Sequence, residues 1–175
     1  MNLQLVNALI DSSTRAFDAM LSLHVDSMAP VSRAPIACDK SGVTAIVGLS
    51  GDLTGSITFS APIDCARRLT SVFTGSDVSG NADEMCDVVG EIISMIADGA
   101  MAQAEAPMAD CSCPTVIIGD HYAITGSASD ERFVIPFSCE CGEFWISVSI
   151  CREQVESSSS SCSGVLSVNE RGTTR

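Results

Sequence analysis

The stretch from Asp87 to Ala100 constrains the fold of this chain more than any other feature. At the helical spacing of about 100° per residue, its polar side chains form one narrow stripe and its apolar side chains cover a broad opposite arc. The stripe consists of Asp87, Glu91, Ser94 and Asp98. The arc consists of Val88, Val89, Ile92, Met95, Ile96 and Ala100. The stretch therefore predicts a long amphipathic helix with one buried side and one acidic, hydroxyl-bearing side.

Two glycines within this helix, Gly90 and Gly99, act against its stability. Glycine costs a helix about 1 kcal/mol relative to alanine. Because such a cost often accompanies a close approach of another segment to the helix backbone, we expect tight contacts at one or both positions.

The bulk composition bounds the class of protein. A length of 175 residues suits one domain, and an apolar fraction of 46% provides for a sizeable core. The net charge of −13 argues against nucleic acid binding. A basic surface on a protein partner would complement this charge. Alternatively, the charge serves only to keep the protein soluble. Neither a signal peptide nor an apolar run of about 18 residues is evident, so we expect a cytoplasmic protein with no membrane contact.

The nine cysteines allow two interpretations. Disulfides are not expected in a cytoplasmic chain. Cys111/Cys113 and Cys139/Cys141 are C-x-C pairs, and two strand ends of this kind could build a four-thiolate metal site. The alternative, which we favour, is that cysteine serves as a small hydrophobe. A divalent cation on the acidic stripe is disfavoured because one helix face offers too few converging ligands, so no metal is predicted.

Hydrophobic periodicity and turn residues divide the chain into elements. Helices are predicted at 2–23, from Pro62 to about Phe73, and from a cap at Asn81 or Asp83 to about Ala104. The second helix is expected to turn Cys65, Ala66, Leu69 and Val72 inward. An irregular strand is predicted at 24–39, hairpins at 43–60 and 132–151, and shorter strands at 114–119 and 122–125.

This order of elements is not the regular alternation of a doubly wound sheet. It predicts an α+β fold in which an antiparallel or mixed sheet of about six strands is packed with long amphipathic helices. Residues 1–151 are expected to form one domain. Residues 152–175, which include the run Ser157–Ser161, are expected to form a disordered tail.

The spacing of the polar stripe resembles the signature helix of the CheC/CheX/FliY family of chemotaxis phosphatases, and CheX most closely. That signature has Asp or Ser, then Glu after three residues, Asn after two more, and a later Pro. Asp87, Glu91 and Pro114 fit it, with Pro114 somewhat early, whereas Ser94 replaces the Asn. The segments 47–56, 114–119 and 134–137 also resemble the family, and the likeness spans about residues 3–151.

The resemblance implies a CheC-like fold and removal of phosphate from an aspartyl-phosphate on a CheY-type response regulator. In the family a carboxamide orients the attacking water, and Glu anchors the complex against the regulator's active-site lysine. By position, Glu91 is the anchor, Asp87 supports the same face, and Ser94 occupies the catalytic position. The resemblance further implies a homodimer with one site per chain and no cofactor of its own, since the regulator carries Mg²⁺.

Ser94 puts catalysis in question because serine is about 1.5 Å shorter than asparagine. A misplacement of about 1 Å can lower a rate about 10²-fold, so we expect reduced or lost activity. Two alternatives remain: a non-catalytic module that binds a response regulator, and a homodimeric adaptor whose stripe is only a solvated face.

Overall fold

The computed structural model describes residues 3–32, 36–38, 41–51, 53–76, 81–104, 109–124 and 131–151. Its three helices are α1 (Leu3–Leu21), α2 (Ile63–Thr74) and α3 (Ala82–Gln103). All three predicted helices are therefore confirmed, with ends shifted by no more than two residues. Asn81 caps α3, because its side-chain oxygen accepts hydrogen bonds from the backbone N–H groups of Asp83 and Glu84. The predicted tail at 152–175 lies outside the described residues.

The described residues also contain ten strands. They are β1 (Asp26–Ser27), β2 (Val31–Ser32), β3 (Ile36–Cys38), β4 (Gly42–Gly51), β5 (Gly55–Pro62), β6 (Ala109–Cys111), β7 (Thr115–Gly119), β8 (Tyr122–Ile124), β9 (Glu131–Cys139) and β10 (Gly142–Ile150). Eight form one antiparallel sheet in the order β1-β9-β10-β5-β4-β6, in which β2 also pairs with β9 and β7 with β4. Strands β3 and β8 form a separate two-stranded ribbon. The sheet exceeds the six expected strands because short segments pair along both of its edges.

The helices cover one face of this sheet. Alternate residues of the long strands point toward them, as the period of two requires. Phe144 on β10 lies at the centre of this layer, with its ring centroid 4.6 Å from that of Phe17 on α1. Phe59 and Phe137, on the neighbouring strands, stack on the same ring at 5.4 and 5.2 Å. The predicted α+β architecture is thus confirmed, with one core between the helices and the sheet.

One buried position predicted for α2 is wrong. Cys65, Ala66 and Leu69 are buried as expected, but Val72 is 43% exposed. Val72 lies in the last turn of the helix, which ends at the left-handed residue Gly75. None of the helices that the structure describes is long and apolar enough to span a lipid bilayer.

The close approach expected at Gly99 is confirmed and occurs between α1 and α3. A Cβ atom at Gly99 would lie only 2.3 Å from Ser12 Oγ. The same hydroxyl donates a hydrogen bond of 2.8 Å to the carbonyl oxygen of Ile96. α1 is therefore fixed to the backbone of α3 by one buried hydrogen bond and by the absence of a side chain at position 99.

Gly90 makes the second contact, on the opposite flank of α3. A Cβ atom there would lie 3.4 Å from Pro114 Cγ and 3.8 Å from Val116 Cγ2, which are ordinary van der Waals distances. Pro114 therefore packs directly on the α3 backbone. Glycine is required for packing at position 99 but not at position 90.

This difference predicts opposite effects of one substitution. Gly99→Ala should lower the free energy of unfolding by about 1–3 kcal/mol, because the new methyl group overlaps Ser12 Oγ. Gly90→Ala should raise it by up to about 1 kcal/mol, because the helix propensity improves without overlap. Urea denaturation measures both. Equal effects at the two sites would contradict the α1–α3 contact, and adding Ser12→Ala should partly rescue Gly99→Ala.

Two adjacent serines on α1 give a second matched pair. Ser12 and Ser13 are both buried, but Ser13 Oγ has no hydrogen-bond partner among the described residues. Ser12→Ala should lower the free energy of unfolding by about 1 kcal/mol, since it removes the bond to Ile96. Ser13→Ala should leave stability unchanged or raise it, because an unpaired buried hydroxyl is costly. A larger loss in Ser13→Ala than in Ser12→Ala, measured by thermal unfolding, would refute this assignment.

Candidate functional site

The outward side of α3 carries the predicted acidic stripe. Asp87, Glu91 and Asp98 are exposed, and Ser94 is half-buried. Successive members are three or four residues apart, so their side chains neighbour one another along the helix. The structure therefore brings all four predicted residues onto one surface. This surface can bind a cationic group through Glu91 and Asp87, with a hydroxyl beside it.

Ser94 lies toward one flank of this surface. It is rotated about 60° from Glu91 around the helix axis, on the side that also bears Gly90. Its hydroxyl makes no hydrogen bond to any described residue, so the bond to the Gly90 carbonyl that helical serines often form is not present here. By contrast, Thr14 and Thr70 do form such bonds to their i−4 carbonyls. The Ser94 hydroxyl is thus available to donate to or accept from a bound group.

The place of Asp98 in the stripe suggests a carboxylate that contacts only solvent, but Asp98 also has a neighbour in the protein. Its carboxylate lies close enough to the thiol of Cys111, at the end of β6, to raise the pKa of that thiol. Burial, followed by the nearby charges of Asp98 and Asp110, raises the pKa of Cys111 to about 11. The thiol therefore keeps its proton at neutral pH. The end of β6 therefore lies beside α3, one turn beyond Ser94.

The segment from Cys111 to Pro114 is held from its other side as well. The backbone N–H of Ser112 donates to the carbonyl of Gly48 at 2.9 Å, and Ser112 Oγ accepts from the Gly48 N–H at the same distance. Gly48 belongs to β4, so the segment is fixed between the sheet and α3. The pattern of the acidic stripe does not indicate that the segment 111–114 lies beside α3. The segment nevertheless contains two features noted in the sequence, Pro114 and the pair Cys111/Cys113.

The prediction that Met95 is part of the buried apolar arc of α3 is wrong. Its side chain is 43% exposed. Around the helix it lies only about 40° from Glu91, on the flank opposite Ser94, so it marks the outer limit of the apolar arc. α1 contacts α3 deeper on that flank, at Ile96 and Gly99. The outward surface of α3 therefore includes one apolar side chain beside its acids.

The cysteines do not assemble into the four-thiolate site considered above. The strands that end in the two C-x-C pairs, β6 and β9, are four positions apart in the sheet, about 19 Å at the usual strand spacing. Cys139 and Cys141 instead lie near Cys65 on α2, where burial first and these two thiols second raise the pKa of Cys65 to about 12. Among the described residues, no group of three or more His, Cys, Asp or Glu side chains is placed to hold a metal ion.

Comparison with known proteins agrees with this architecture. A putative chemotaxis protein from Desulfovibrio vulgaris Hildenborough superposes with a TM-score of 0.76 at 26% identity, over 85% of this chain and 97% of that one. The chemotaxis protein CheX from Desulfovibrio desulfuricans gives a TM-score of 0.74 at 25% identity, over 83% and 98%. The CheX of Borrelia burgdorferi, solved as a CheX–CheY–BeF3–Mg²⁺ complex, gives 0.69 at 20% identity, over 85% and 98%.

No curated protein matches the sequence significantly. The family profile described as "Chemotaxis phosphatase CheX" matches residues 43–138, which are 96 of the 175 residues and so more than half of the chain. The match includes β4, β5, α2, α3 and the strands from β6 through most of β9, and therefore every residue of the candidate site. This chain belongs to the CheX family of chemotaxis phosphatases.

Proposed function

We propose that this chain docks a phosphorylated CheY-type response regulator on the outward surface of α3, with catalysis reduced or lost because Ser94 occupies the catalytic position. The observation that supports this most directly is the arrangement of Glu91 and Ser94. An exposed carboxylate lies one turn from a half-buried hydroxyl that has no partner within the described part of the chain. The Borrelia relative, solved with CheY, supports the choice of partner class.

The chemistry required of such a site is modest. An aspartyl-phosphate is already labile, so a phosphatase needs no nucleophile of its own and acts by positioning water in line with the phosphorus. In this proposal the regulator supplies the phosphoryl group and its Mg²⁺, and this chain holds no cofactor. Glu91 pairs with a lysine of the regulator, and Asp87, one turn away, adds to the same negative surface.

Ser94 limits the reaction through its length. Its hydroxyl can donate and accept hydrogen bonds, as a carboxamide can. It ends about 1.5 Å short of the amide atoms of asparagine, however, and a misplacement of about 1 Å can lower a rate about 10²-fold. The second candidate function, a module that binds the regulator without hydrolysis, is favoured by this same substitution. Both candidates use the docking role of Glu91.

Restoring the family's asparagine should separate docking from chemistry. With a phosphorylated CheY-type regulator, Ser94→Asn should accelerate loss of phosphate about 10–100-fold over wild type, because it places a carboxamide at the required reach. Ser94→Ala is the matched control and should not exceed wild type. Radiolabel decay measures all three. If Ser94→Asn leaves the decay unchanged although the regulator binds, position 94 does not orient the water.

Glu91 should be needed for any of these effects. Glu91→Ala should remove the acceleration given by Ser94→Asn when the two are combined, since it removes the partner of the regulator's lysine. Glu91→Gln keeps the size of the side chain and tests its charge alone. Full activity of the Glu91→Ala/Ser94→Asn double variant would show that the regulator docks elsewhere, and the stripe would then be a solvated face.

We further propose that the chain is a homodimer that pairs through the β1/β2 edge of its sheet. Met28 and Val31 are 44% and 50% exposed there, and short exposed edge strands can pair with a second copy. This edge is on the opposite side of the sheet from β6 and β7, which lie beside α3.

Val31→Lys should convert dimer to monomer in analytical ultracentrifugation. Ile118→Lys, on β7 at the opposite edge and 38% exposed, is the matched control; dissociation by that variant instead would assign the dimer to β7.

A further inference from the structure

The segment 111–114 runs alongside the ridge of α3 that contains Ser94. Gly90, Ser94 and Asp98 are each four residues apart, so they lie on one ridge at intervals of about 6 Å along the helix. Pro114 contacts this ridge at Gly90, and Cys111, the last residue of β6, lies near Asp98. The chain direction of the segment is therefore opposite to that of α3.

The middle of the segment consequently lies level with Ser94. Its two ends lie beside points about 12 Å apart on the helix, and three residue steps of nearly extended chain span about 10–11 Å. The segment must therefore be close to fully extended between these points. Ser112 and Cys113 are the residues that pass Ser94.

These two residues turn to different sides. Ser112 uses its hydroxyl and its N–H to bind Gly48 on β4, so it faces the sheet. Successive side chains of an extended segment point in opposite directions. Cys113 is exposed and makes no side-chain hydrogen bond within the described residues. It is therefore the side chain that the segment presents to the solvent beside Ser94.

A protein partner that reaches Ser94 must cover this segment. A standard interface buries about 800 Å² on each partner, which corresponds to a disc of roughly 16 Å radius. The segment lies against α3 itself, with Pro114 on Gly90 and Cys111 near Asp98, well inside that radius. Ser94 also lies on the flank of α3 nearer the segment, about 60° from Glu91 toward Gly90.

We infer that residues 111–114 form the second wall of the docking site, and that Cys113 contacts the bound response regulator. The inference rests on the proposed function and extends it. The two walls differ in chemistry: Glu91 and Asp87 provide negative charge, whereas Cys113 and Pro114 provide a small uncharged surface. The regulator surface that fits them has a basic group next to an uncharged, closely packing patch, with its phosphoryl site between the two.

A bulky side chain at position 113 tests this wall. Cys113→Trp should weaken binding of a CheY-type regulator, activated with beryllofluoride and Mg²⁺, at least tenfold in calorimetric titration. Ala19→Trp is the control, because Ala19 is also small and exposed but lies on α1, which contacts α3 at Gly99, on the flank opposite Gly90. It should change the affinity less than twofold. Thermal unfolding of both variants checks that the fold is intact.

The wild-type chain provides a measurement that needs no substitution. Alkylation of Cys113 by iodoacetamide, followed by mass spectrometry, should slow at least fivefold when the activated regulator is added. The regulator without beryllofluoride should protect it less. Protection of Cys113 would support the inference even if Cys113→Trp failed to fold.

The outcomes distinguish the two proposals. If wild type binds and Glu91→Ala weakens binding, but Cys113→Trp binds normally and Cys113 is not protected, the second wall is wrong and the docking role of α3 stands. If the wild-type chain binds no activated CheY-type regulator, the proposed function fails and this inference fails with it.

Discussion

The position of α3 depends on its contact with α1 at Gly99. The Ser12 hydroxyl occupies the space where a side chain at position 99 would lie and bonds to the Ile96 carbonyl. This contact sets the rotation of α3 about its own axis, since the apolar arc must face α1 and the sheet while the opposite side faces the solvent. On the opposite flank of α3, the contact of Pro114 with Gly90 limits the same rotation. The exposure of Glu91 and the half-burial of Ser94 both follow from that rotation.

The surface that results is negatively charged, and the function proposed for it needs no nucleophile from this chain. Carboxylates at 87 and 91 can attract and pair with a basic group, in agreement with the net charge of −13. Nothing in the arrangement requires this chain to supply a nucleophile or a metal, because the chemistry that the proposal assigns to it is positioning. Positioning depends on side-chain length, so one substitution at Ser94 can lower the rate while leaving the docking surface intact. Family membership and catalytic competence are thus separate properties of this chain.

Sequence periodicity was sufficient for the helices, the two long hairpins and the acidic stripe, because each depends on local spacing of apolar and polar residues. It failed where burial is decided by neighbours distant in sequence. Met95 and Val72 fit their apolar arcs, but no described element covers them fully, and both are more than 40% exposed. The fold also brings Asp98 on α3 near Cys111 on β6, 13 positions away in sequence, and no local pattern indicates this proximity. Ser94, Glu91 and Pro114 were predicted from the resemblance, while the position of the segment 111–114 beside Ser94 emerged only from the fold.

The central claim is that the partner binds across α3 at Ser94. Amide chemical-shift mapping of the ¹⁵N-labelled wild-type chain, titrated with a beryllofluoride-activated CheY-type regulator, tests it most directly. We expect the largest perturbations on residues 87–98 of α3 and on 111–116, with the β1/β2 edge unaffected. Perturbations confined to the β1/β2 edge would contradict binding across α3. So would the absence of perturbations at a concentration of the regulator that saturates the regulator's known partners.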